Sequence, residues 1–132
     1  MPDYGENHIH QLTAVMPKCH DFTSMAKLLF IDDDPEIRTL FVAFLRERSH
    51  TVTACENGLQ AMLLLQKDFH FDVIICDYCM PIKTGGEVWN LVRKLYPPIP
   101  FVLFTSQILA DLPEFDDTFQ YSGNVWLRKP AS

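Results

Sequence analysis

Positive charge is scarce in this chain: eleven Lys and Arg stand against seventeen Asp and Glu among 132 residues, a formal net charge of −6. Neutralising nucleic-acid phosphates needs a basic surface, so this balance argues against a nucleic-acid partner. Long apolar runs are missing as well. Stretches such as Leu28–Ile31 and Phe101–Phe104 fall far short of the roughly 20 residues that cross a bilayer as a helix, and no membrane span is expected. No basic stretch leading into an apolar one is legible near Met1, so a secretory signal is not expected either. Cysteine is sparse. Cys19, Cys55, Cys76 and Cys79 lie mostly in apolar segments, where a free thiol behaves as a small hydrophobe, which points to a reduced, cytoplasmic setting. Cys76 and Cys79 form a C-x-x-C, but the pair closes a strand-like run, with Pro81 behind it, instead of opening a helix. No second pair completes a zinc site.

What the chain does contain is regular. Residues 1–24 mix Pro, His, Asn, Thr and Ser and read as an extension outside the fold, flexible or foreign to the natural chain. Within it, Ile9, Leu12, Val15 and Met16 fall at helical spacing, and His8, His10 and His20 sit near Cys19 in no specific metal pattern. Residues 25–132 form the domain. Leu28–Ile31 reads as a strand buried on both faces. Asp34 follows as a helix N-cap with Pro35 at the first helical position, and Ile37, Leu40, Phe41, Phe44 and Leu45 supply an apolar stripe. Thr51–Cys55 is a second strand, followed by a helix with Leu59, Met62, Leu63 and Gln66 on one face. Phe71–Cys76 is a third strand. The third helix follows Gly85-Gly86, with Val88, Leu91, Val92 and Leu95 on its inner face. Phe101–Phe104 and Val125–Leu127 are strands four and five, and the stretch from Gln107 to Gly123 should hold a fourth helix that Pro113 disturbs. Strands alternating with helices imply an α/β fold: a doubly wound, five-stranded parallel sheet with helices on both faces. In such sheets ligands bind beyond the carboxyl ends of the strands.

Five residues collect at those ends: Asp32 and Asp33 after strand one, Asp77 after strand three, Thr105 after strand four and Lys129 after strand five. Three converging carboxylates repel one another, and a divalent cation removes the conflict. An all-oxygen ligand set suits Mg²⁺ better than zinc. A lysine and a hydroxyl aimed at the same point are equipment for holding phosphoryl oxygens. Taken singly, each residue has an ordinary structural explanation; their coincidence on one edge points to a phosphoryl and magnesium site.

At these residues the chain resembles the receiver domain of bacterial two-component response regulators. The resemblance covers Lys27 to Pro130. It rests on Leu28 to Arg38 with the Asp32-Asp33-Asp34-Pro35 run, on Phe71 to Pro81 with Asp77, on Gly85, on Phe101 to Ser106 with Thr105, and on Trp126 to Pro130 with Lys129. It implies a flavodoxin-like strand order 2-1-3-4-5 and the following roles. Asp77 is the phosphoacceptor, taking its phosphoryl group from a phosphohistidine on a sensor histidine kinase or a histidine phosphotransfer protein. Asp33, Asp77 and the backbone carbonyl of Cys79 hold Mg²⁺ directly, and Asp32 does so through water. Thr105 and Lys129 contact the phosphoryl oxygens, and Trp126 with Thr105 forms the switch on the strand 4/strand 5 face. Such a protein catalyses its own phosphorylation and is not a turnover enzyme.

Some positions depart from the family pattern. Thr84 stands where an acidic or amide residue is common. Cys79 and Gln107 border the path of the water that would hydrolyse an aspartyl phosphate, and are expected to tune its lifetime. The resemblance also implies a final helix after Lys129-Pro130 that the 132 residues lack. The apolar face so exposed would be covered by a second copy in a homodimer or by Ile9–Met16. Two other readings stay open. One is a degenerate receiver that binds proteins without being phosphorylated. The other is a haloacid dehalogenase-type phosphohydrolase, whose first motif Asp32-x-Asp34 superficially fits but which needs a longer chain and a different continuation than Pro35-Glu36.

Overall fold

The computed structural model describes residues 25–67, 70–115, 119 and 124–129. The expected extension at 1–24, with its Ile9–Met16 stripe, its three histidines and Cys19, lies outside them. The order of elements is β1 (Lys27–Ile31), α1 (Pro35–Glu47), β2 (Thr51–Cys55), α2 (Gly58–Leu65), β3 (Val73–Cys76), α3 (Gly85–Leu95), β4 (Phe101–Thr105), a 3-10 turn (Leu109–Asp111) and β5 (Val125–Arg128). All strand pairs are parallel, in the order β2-β1-β3-β4-β5.

Alternation along the strands makes two cores. Leu29, Ile31, Ile74, Cys76, Phe101 and Leu103 point to the face covered by α2 and α3. Leu28, Phe30, Val73, Ile75, Val102 and Phe104 point to the other face, against Ile37, Phe41, Val42 and Leu45 of α1. Because β1, β3 and β4 are covered on both sides, their near-continuous apolar runs fit a parallel sheet. On the α1 face, Val102 and Phe104 of β4 are only 1% and 2% exposed, and Leu127 of β5 is half-buried.

Helix starts follow local chemistry. Asp34 Oδ1 accepts the amides of Glu36 and Ile37, with Pro35 at the first position. Thr84, marked above as a departure, is the N-cap of α3: it closes a capping box in which Thr84 N–H donates to Glu87 and Glu87 N–H donates to Thr84 Oγ1. Expectations for α2 need correction. Leu59 and Leu63 are 37% and 52% exposed, while Gly58, Ala61 and Leu65 face the core. This helix is apolar nearly all round, so periodicity could not choose its buried face. Contact with Lys83 at Gly58, which leaves no room for a Cβ there, chooses it instead. Leu40 and Leu95, at the edges of their stripes, are exposed as well. Phe71 is buried just before β3 and not within it. Of the stretch expected to hold a fourth helix, the described residues show a 3-10 turn, Leu109–Asp111, and Phe119 in helical conformation; residues 116–118 and 120–123 lie outside the described residues.

Candidate functional site

Strand register brings the five residues together. The ladder pairs Ile31 with both Cys55 and Cys76. One further bond on each side, Asp32 N–H to Cys55 O and Asp77 N–H to Ile31 O, carries Asp32 and Asp77 out of the sheet side by side. Across β4 and β5, Lys129 N–H donates to Thr105 O at 2.8 Å and sets Lys129 level with the end of β4. Asp33 follows Asp32 into the loop and is exposed. Carboxylate oxygens of Asp32, Asp33 and Asp77 all lie within 4.8 Å of one another.

Lys129 sits buried among them. Its Nζ is 2.6 Å from Asp32 Oδ2 and 3.1 Å from Asp77 Oδ2. Three carboxylates face one ammonium, a surplus of two negative charges when all are ionised. Burial, together with the Asp77 charge and in spite of Lys129, pushes the Asp32 carboxyl up from 3.8 to about 6. Burial and Asp77 also raise the Asp33 carboxyl. Burial alone would lower the Lys129 ammonium, but Asp77 and Asp32 outweigh it and the net shift is upward. An all-oxygen set with surplus negative charge at the rim of the sheet fits a hard divalent cation.

The surrounding loops hold this arrangement. Asp34 N–H donates to Asp32 Oδ1, and Arg38 Nη1 donates to Asp32 O at 2.7 Å. Tyr78 N–H donates to Asp77 Oδ1 at 2.7 Å, leaving Oδ2 to Lys129. Gly85 lies so close to Asp77 O and Tyr78 Cα that no side chain fits there, and its N–H donates to Tyr78 O. Ile82 turns the same loop at φ 73, a left-handed conformation costing a β-branched residue about 1–2 kcal/mol. Thr105 is buried, and its Oγ1 accepts Gln107 N–H. Gln107 Nε2 reaches Cys79 Sγ at 3.3 Å, so the two residues singled out from the sequence do flank the site together. Cys79 is exposed, whereas Cys76 is buried, donates Sγ–H to Asp77 O, and has its thiol pushed well up by burial. Trp126 is half-buried, and its indole N–H donates to Gln107 O at 3.2 Å.

One pair escaped sequence reasoning. The Tyr78 hydroxyl donates to the Glu114 carboxylate, 2.7 and 2.8 Å from its two oxygens. Burial and this carboxylate push the phenol up to about 12, which keeps it a donor. Thirty-six positions separate the partners, and nothing local in the sequence couples them.

Comparison with known proteins agrees with this geometry. The response regulator receiver domain family matches residues 28–132. A two-component response regulator of rice, ORR3, is 34% identical over 82 residues, covering 61% of this chain and 63% of its own length. The chain therefore matches less than two thirds of that relative. Among solved structures, the chemotaxis response regulator CheY4 of Vibrio cholerae superposes with a TM-score of 0.69 at 32% identity, over 82% of this chain and 89% of that one. The receiver domain of the Pseudomonas aeruginosa sensor histidine kinase PA1611, solved with a magnesium ion in its active-site cleft, gives 0.67 at 25% identity, over 81% and 87% of the two chains.

Proposed function

Because the chain belongs to the response regulator receiver domain family, we propose that it is a phosphoryl-accepting switch in which Asp77 takes the phosphoryl group of a partner's phosphohistidine. In this reaction an Asp77 carboxylate oxygen attacks phosphorus, the P–N bond to the imidazole breaks, and an aspartyl phosphate forms. Lys129, already within 3.1 Å of Asp77, balances charge on the phosphoryl oxygens, and the Thr105 hydroxyl donates to one of them. Phosphoryl transfer asks mainly for such positioning and charge neutralisation. Asp33 and Asp77, with the Cys79 carbonyl, would hold Mg²⁺, and Asp32 would orient it through water. Bound there, the ion would supply the remaining neutralisation of phosphoryl charge. The observation that carries this reading is the junction of three acceptor carboxylates and a buried lysine at one edge of the sheet.

The partner class is a sensor histidine kinase or a histidine phosphotransfer protein, and the setting is cytoplasmic. Among the described residues no helix is long and apolar enough to cross a membrane. Signalling follows the Thr105–Gln107–Trp126 path: a pull on Thr105 moves the loop whose Gln107 carbonyl holds the Trp126 indole. Cys79 and Gln107 set the phosphoryl lifetime. A severalfold difference in decay between wild type and Cys79→Asn is expected, and equal decay rates would remove that role. Magnesium-dependent labelling by acetyl phosphate tests the main reading. One phosphoryl group per chain, absent from Asp77→Asn, is expected; no uptake in either would favour a receiver that binds partners without phosphorylation.

A further inference from the structure

A second connection leaves the acceptor loop through Tyr78, by contacts separate from those of Trp126. Tyr78 adjoins Asp77, and its main chain is committed to the site: the N–H to Asp77 Oδ1, the carbonyl to Gly85 N–H. Its side chain is committed elsewhere. The phenol bonds to Glu114 and the ring meets Phe115 edge-on, with centroids 6.2 Å apart. Glu114 lies nine positions beyond Thr105, in the segment that begins at the end of β4. Its carboxylate rests over Gly86, where any Cβ would strike it, in the first turn of α3. A carboxylate at a helix N-terminus is favourably placed. Phe115 in turn stacks on Trp89 at 5.8 Å, and Trp89 meets Phe119 at 4.9 Å.

We propose that the Tyr78–Glu114 contact is a coupling element that ties the state of Asp77 to the position of the 109–115 segment, alongside the path through Thr105 and Trp126. The proposal rests on Asp77 being the acceptor. Tyr78 cannot follow a rearranged Asp77 carboxylate through its own N–H without moving a phenol anchored on Glu114. Glu114 likewise cannot follow a shift of the loop after Thr105 without pulling on Tyr78. Such a contact biases both sites only if its strength differs between two arrangements of the loop. A hydroxyl-to-carboxylate bond is the stronger, charge-assisted kind, and the negative charge gained at Asp77 would act on Glu114 with the repulsion of like charges. A half-buried tyrosine needs some partner for its hydroxyl in any fold. The distinguishing property is therefore transmission and not stability.

The chain has two tryptophans, Trp89 and Trp126, so 5-fluorotryptophan labelling reports on both routes in one ¹⁹F spectrum, and Trp126→Phe assigns the signals. Beryllofluoride with Mg²⁺ serves as the probe, its own bound resonance reporting occupancy. In wild type the Trp89 signal is expected to shift on saturation. Tyr78→Phe should bind beryllofluoride and retain the Trp126 shift while losing most of the Trp89 shift. Glu114→Gln, which keeps an acceptor but not the charge, should lose part of it and stands in if Tyr78→Phe folds poorly. An unchanged Trp89 shift in both variants, or none in wild type at full occupancy, would overturn the coupling alone. No bound beryllofluoride in wild type, matched by Asp77→Asn, would overturn the acceptor reading and the coupling with it.

Discussion

At the amino end of the sheet, polar side chains are spent on the main chain. His50 Nδ1 accepts Ala26 N–H, Asp72 Oδ2 accepts Lys27 N–H, and Asn124 accepts Phe101 N–H while donating to Phe119 O. At the carboxyl end, Lys129 bonds to Asp32 and Asp77, with Asp33 beside them, and the carboxylates outnumber the ammonium. Burial is similar at His50, Asn124, Asp77 and Lys129. The difference lies in the partners. A polar group bonded to a strand's backbone closes the fold and can do little else. A charged group whose partners are other charged groups leaves capacity for a ligand, at a cost in stability.

Five substitutions would sharpen or break this contrast. The largest effect belongs to Asp77→Asn, which should abolish acetyl-phosphate labelling outright while raising stability in chelator by about 1 kcal/mol, since it removes one of three repelling carboxylates; denaturant melts with EDTA measure the second quantity. Lys129→Met leaves Asp32 and Asp77 buried without their cation. A loss of about 3–5 kcal/mol at pH 7 is expected, with part of it regained at lower pH as the raised Asp32 carboxyl takes up a proton. At the other end, Asn124→Ala strands Phe101 N–H and Phe119 O and should cost about 2–3 kcal/mol, with labelling per folded molecule unchanged. Were Asn124→Ala to abolish labelling in folded protein, the division between the two ends would fail.

The pH-dependent effects differ in sign. Asp32 has a folded value of about 6 against an ordinary 3.8, so its native form binds a proton more tightly than the unfolded chain does. Its contribution is fully present below about pH 4 and is lost as pH rises through 6, a change of about 2–3 kcal/mol. His50 is shifted downward by burial and by Arg48. Its contribution is present above about pH 6.5 and lost as pH falls. Urea melts across pH 4 to 8 in chelator should show Asp32→Asn removing the first slope and His50→Gln the second.

Much of this was legible in the sequence, for physical reasons that also mark its limits. The apolar runs of β1, β3 and β4 and the Asp34-Pro35 start of α1 are local signals, and the five site residues follow from them because parallel strands end on one edge. The buried face of α2 was not legible, since Leu59, Leu63 and Leu65 present apolar surface in several directions and only packing against Lys83 decides among them. Thr84 looked like a mere departure because its capping role depends on where α3 begins. Tyr78 and Glu114 meet only in three dimensions.

The central claim is that the carboxyl edge is a phosphoryl-accepting site, and intact-mass spectrometry after incubation with acetyl phosphate tests it most directly. With Mg²⁺, one phosphoryl adduct per chain is predicted, sensitive to hydroxylamine as an acyl phosphate should be, missing in EDTA and missing in Asp77→Asn. An adduct that forms equally in Asp77→Asn, or no adduct in folded wild-type protein with Mg²⁺, would contradict it.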